Sequence, residues 1–162
     1  MKEELIKVLF ELNEDWHGCS TETLWAEKVG EDQYRLDNTP FYVKGVSFGD
    51  IITAKEKQGF LKYESVLKRG GHSTYRIIID HAKVPINKFQ NYWKHFSELA
   101  CTYEGGPEFR SKDKNLKIYA IDVHPEVKLD QVYAKLQKGE HEGIWEFEEG
   151  HCYEKNENRN NS

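Results

Sequence analysis

Two short stretches place side chains capable of chemistry close together. Gly70-Gly71-His72-Ser73-Thr74-Tyr75-Arg76 joins a glycine hinge to an imidazole, hydroxyls and a guanidinium. Glycine backbone reaches conformations that turn N–H groups outward, so such a loop can receive an anion. His72, Ser73, Thr74 and Arg76 are its candidate ligands, with His124 as a further donor. Asp122-Val123-His124 is the second stretch. Residues two apart on a strand share a face, so Asp122 and His124 would present a carboxylate and an imidazole side by side.

Neither stretch completes a recognised catalytic set. His72-Ser73-Thr74 resembles one half of the paired H-x-T motif of two-histidine phosphoesterases, but His124-Pro125-Glu126 and His151-Cys152-Tyr153 do not supply the second half. Asp122 and His124 would need Glu104, His141 or His151 to hold a metal, at spacings that match no standard template. The alternative is structural: His72 and Ser73 satisfy backbone groups where two parts of the fold join, and Asp122 caps a turn before Pro125. No activated nucleophile can be placed, and no cofactor is implied. Cys101 falls where a helix should end, the pole that does not lower a thiol pKa, and is expected in the core.

A third stretch suits recognition better than catalysis. Gly139 to Glu154, GEHEGIWEFEEGHCYE, interleaves Glu142, Glu146, Glu148 and Glu149 with Trp145 and Phe147. Acids mixed with aromatics suit a surface for a basic protein, the carboxylates steering association and Trp145 anchoring it. The alternative is an edge strand charged against aggregation. Trp16 and His17 form a weaker second patch.

Composition narrows the field. Of 162 residues 38% are hydrophobic and 13% aromatic, enough for a real core. The formal net charge is -5, which argues against general affinity for nucleic acid and for a basic partner. Mean hydropathy is -0.81, and no run approaches the about 18 apolar residues of a membrane span. The acids within MKEELIKVLFEL are unlike a secretory signal, so the chain reads as cytoplasmic. Cys19, Cys101 and Cys152 are odd in number and contain no CxxC pair, the pattern of reduced thiols. The oligomeric state is left open.

The elements that would position these residues fall into two halves. Residues 1–70 read as short strands divided by turns, a small antiparallel barrel-like half. Strands are expected at Ile6 to Leu12, Thr23 to Val29, Gln33 to Leu36, Phe41 to Val43, Asp50 to Glu56 and Phe60 to Lys68. Asp37 to Pro40 is a turn, and Gly45 and Gly49 interrupt the chain. Residues 71–154 begin with Thr74 to Ile79, a β-branched run buried on both faces. A helix follows Pro85, with Phe89, Trp93, Phe96 and Ala100 as its stripe. Strands at Thr102 to Glu104 and Leu116 to Val123 would flank a turn at Gly105-Gly106-Pro107. A second helix near Asp130 faces inward with Leu129, Val132, Tyr133 and Leu136 and exits at Gly139. The last strand lies near Ile144 to Phe147. The strand, helix, strand, strand, helix, strand order is ferredoxin-like, and the fold class is α+β. Residues 155–162 lack apolar anchors and read as a disordered tail.

Leu24-Trp25-Ala26-Glu27, Arg35 to Phe41, Gly45 to Asp50 and Gly71-His72-Ser73-Thr74 together resemble the bacterial family known as domain of unknown function 4265. The resemblance covers most of residues 6 to 150; where typical members have one Gly before the His, this chain has Gly70-Gly71. It implies a compact bacterial domain of this architecture and carries no activity with it. The leading expectation is therefore a non-enzymatic protein-binding domain, most sharply an immunity protein that neutralises a basic toxin such as a nuclease. The alternative is a small hydrolase or nucleotide- or anion-binding domain using the His72 loop.

Overall fold

The computed structural model describes residues 4–13 and 18–154; Trp16, His17 and the expected tail lie outside them. Within them the chain is α+β, with nine strands, two helices and mostly antiparallel pairing.

The first half contains β1 (Leu5–Glu11), β2 (Thr21–Gly30), β3 (Gln33–Leu36), β4 (Ile51–Lys57) and β5 (Phe60–Lys68). They join in sequence order, and β5 returns beside β1 in parallel, Leu9 opposite Lys62, so the strands close on themselves. Strict alternation makes this possible. Val8, Phe10, Leu24, Ala26, Tyr34, Leu36, Ile52 and Ala54 point inward and form one core, with Phe10 stacked on Tyr63 at 4.7 Å.

Phe41 to Val43 is not a strand. Its amides turn instead toward Glu22: the carboxylate accepts N–H bonds from Phe41 at 2.7 Å, Tyr42 at 3.1 Å and Val43 at 2.9 Å. An ionised side chain that satisfies successive donors outcompetes a ladder for so short a segment.

The second half contains β6 (Ser73–Ile79), α1 (Ile86–Ser97), β7 (Cys101–Ser111), β8 (Lys114–Val123), α2 (Leu129–His141) and β9 (Glu146–His151), and its sheet runs β7-β8-β6-β9. Tyr75, Ile77, Ile79, Tyr119, Ile121 and Val123 face the helices, where Phe89, Phe96, Val132, Leu136 and Trp145 complete a second core. The alternate residues Thr74, Arg76, Ile118, Ala120 and Asp122 are buried as well, against the opposite face. A central strand covered on both sides needs the continuous apolar and β-branched run that β6 has.

Two turn expectations change. Gly105-Gly106-Pro107 lies within β7, where the register shifts, and the hairpin turns instead at Lys112 and Asp113, with φ of 46° and 64°. Two residues at positive φ are what a tight hairpin demands, even without glycine. Gly139 does not end α2, which runs to His141. It lies under Trp145, where a Cβ would meet the indole at 2.3 Å.

Candidate functional site

The two stretches singled out for chemistry converge. β6 and β8 pair with Thr74 opposite Asp122, which carries His72, one residue before β6, to the Asp122 carboxylate. His72 Nδ1 lies 2.8 Å from Asp122 Oδ1, and His124 Nε2 lies 3.9 Å from Oδ2. The two imidazole rings are 5.0 Å apart. Asp122 thus orients His72, with His124 close by but beyond hydrogen-bond distance. The hydrogen bond to Asp122 holds His72 protonated to a higher pH than an ordinary histidine, against burial, with Asp50 and Glu126 adding to the effect.

The same geometry limits what His72 can do. Its side chain is 14% exposed, Phe48 lies across the ring at 5.1 Å, and the edge bearing Nε2 faces Gly49. No hydroxyl or thiol among the described residues is hydrogen-bonded to it. A carboxylate-oriented imidazole without a nucleophile beside it is half of a triad at most.

Of the remaining loop residues, Thr74 and Arg76 join the two halves, while Ser73 bonds within the second. Thr74 Oγ1 bonds Ser47 Oγ at 2.7 Å, and Ser73 Oγ accepts the Tyr153 N–H at 2.9 Å. Arg76, fully buried, donates to the Val43 carbonyl and, at 3.2 Å, to Glu148, which Lys44 also approaches at 3.8 Å. Burial lowers the Arg76 pKa, and Glu148 and Glu22 oppose that shift. Asp50 braces the first half beside the junction, accepting from the Gly70 and Ser47 amides and from Arg69 at 3.1 Å. Burial still raises its pKa, with those contacts working against it. Only His124, its side chain 41% exposed, opens outward. It borders a cavity of about 490 Å³ that Gly71, Ser73, Lys128 and Tyr153 also line.

The acidic stretch is divided by the fold. Trp145 is 3% exposed, donates Nε1–H to Leu136 O at 2.9 Å, and meets Tyr92 and Phe96 edge-on. It builds the core and presents almost no surface. Glu148 is held at the junction, and Glu142 accepts from the Tyr92 hydroxyl. Glu142, Glu146 and Glu149 are exposed. Tyr133, expected inside, is 43% exposed and packs edge-on against Phe147 at 5.6 Å. It sits at the margin of the helical stripe, where one helical position decides between core and surface. β9 is an edge strand, yet Phe147 N–H donates to Glu140 and Gly150 C=O accepts from Gly45. Cys101 is buried as expected, and burial pushes its thiol up to about 11.

These features define an α+β chain whose buried charged residues, Glu22, Asp50, Arg76 and Asp122, gather near the junction of its two sheets. The chain belongs to the DUF4265 family, domain of unknown function, whose pattern matches residues 22–147. It is similar in fold to a hypothetical protein from Neisseria gonorrhoeae, at 15% identity and a TM-score of 0.66, over 94% of this chain and 96% of that one. No curated protein matches it.

Proposed function

We propose that this chain is a non-enzymatic protein-binding domain, in its sharpest form a bacterial cytoplasmic immunity protein that neutralises a basic toxin, such as a nuclease, by covering it. The observation that carries the reading is the flank of α2 and β9. There exposed Tyr133 stands on Phe147, with exposed Glu142, Glu146 and Glu149 on the adjoining segment, in a chain of net charge -5. Tyr133 takes the anchoring role first assigned to Trp145, and the carboxylates pair with Lys or Arg of the partner. Because Phe147 N–H and Gly150 C=O already have partners, recognition runs through side chains rather than strand addition. Architecturally, we read β1 to β5 as a small barrel-like half over residues 1–70 and the β7-β8-β6-β9 sheet with its helices as a ferredoxin-like half over 71–154.

Affinity capture from the native cell extract, followed by the double variant Glu146→Lys and Glu149→Lys, tests this reading. The variant should keep its circular dichroism spectrum and melting temperature and lose the captured protein. Undiminished capture would overturn the proposal.

The second reading, a small hydrolase or nucleotide- or anion-binding domain, rests on the cavity beside His124. Heat on calorimetric titration with nucleotides or phosphate esters, abolished by His124→Ala, is its expected signature. Silence across that panel removes it.

A further inference from the structure

We propose that the groove between α1 and α2 is a binding site for a compact oxyanion of the phosphate-ester class. The groove has a volume of about 350 Å³; it shares no residue with the cavity beside His124 and meets the proposed partner surface at Glu142 alone. Asn91, His95 and Phe96 of α1 and Lys135 and Lys138 of α2 line it, with Tyr92 and Glu142 at its end.

Its polar inventory is one-sided. Glu142 is the carboxylate in the lining, and it already accepts the Tyr92 hydroxyl. What remains are two ammonium groups, an imidazole and the Asn91 amide, whose N–H donors suit the oxygens of one small anion. Lys135 is half-buried, and among the described residues it forms no ion pair. A partly desolvated ammonium gains more from a bound anion than a fully solvated one does. Tyr92 and Phe96 are the aromatic side chains of the lining, so an ester with a flat organic body fits better than the bare ion. Lys138, in the last turn of α2, also opposes the helix dipole. Lys135 lies a turn deeper and does not share that role, so it is the discriminating residue.

The experiment is a ¹⁵N chemical-shift titration of the full chain with inorganic phosphate and with phenyl phosphate, against potassium chloride at matched ionic strength. Saturable shifts centred on Asn91, His95, Lys135 and Lys138 are expected, with phenyl phosphate binding more tightly than phosphate. Lys135→Gln should weaken both about fivefold, in line with one partly exposed charge pair. Lys88→Gln, on α1 outside the groove, should change neither. Absence of saturation, shifts reproduced by chloride, or equal binding by Lys135→Gln would overturn the proposal. Shifts centred on Ser73 and His124 instead would place the anion in the other cavity and equally overturn it. The assay requires no protein partner, so its result leaves the partner-binding reading standing or falling by capture alone.

Discussion

At the scale of single residues, the His72–Asp122 pair gives the fold a dependence on pH. The bond to Asp122 raises the folded-state pKa of His72 above its ordinary value of about 6.5. A group whose folded pKa is raised stabilises fully below its unfolded pKa and loses that contribution as pH rises through the folded value. Urea denaturation of His72→Phe should therefore show a larger deficit against wild type at pH 5.5 than at pH 9. An equal deficit at both would mean that Asp122 does not hold the proton there. Glu22 is the second case. It is buried at 9% exposure and satisfies amides of Phe41, Tyr42 and Val43, so Glu22→Ala removes the carboxylate that all three share. The expected loss is about 2–3 kcal/mol in chemical denaturation. Sequence spacing already put Asp122 and His124 on one face, because strand period is a local property. It could not bring in His72, which arrives through pairing across 50 positions, and it could not foresee that a Glu in β2 would claim the 41–43 amides.

At the scale of elements, α2 shows how tertiary contact reverses a helical rule. Replacing an interior helical glycine with alanine ordinarily stabilises by up to about 1 kcal/mol. Gly139 is the exception, because its added methyl would meet the Trp145 ring at 2.3 Å. Gly139→Ala should lower stability by about 1–3 kcal/mol through overpacking, read as a drop in melting temperature; a rise would show that the indole yields. Most element positions were legible because their periods are strong: Gln33–Leu36 and Phe60–Lys68 fall where alternation puts them. The β7–β8 turn was not. Gly-Gly-Pro is a strong local break signal, yet the bulge between Gly105 and Glu108 absorbs it and the strand continues to Ser111. Gly106 has instead a packing reason, since a Cβ there would lie 2.7 Å from both Phe41 and Ile118.

At the scale of the molecule, the two cores are separate, and polar contacts join the halves: Ser47 with Thr74, Arg76 with Val43, and Gly45 with Gly150. Gly70 passes so close to the Gly49 backbone that a Cβ would sit 2.5 Å from its carbonyl oxygen. Buried polar groups are costly when parted, so both halves should unfold in one transition. Fluorine-labelled tryptophan would report Trp25 in β2 and Trp145 beside α2 separately, and coincident midpoints in urea are expected; resolved midpoints would show that each half stands alone. Two halves were readable in the sequence because the hydrophobic period changes after Gly71. Their junction was not, because it is built from side chains that each half, read by itself, presents as if for a ligand.

The bond from Gly45 N–H to Gly150 C=O also has a meaning for a chain made from one end. Residues 41–45 leave the ribosome long before Arg76, Glu148 and Gly150, the groups that finish them. A nascent or truncated chain lacking β9 would lose that acceptor, and the loop would stay exposed until the strand arrives. Limited proteolysis should cut a chain stopped at residue 145 between 41 and 45 and spare there the chain that carries β9.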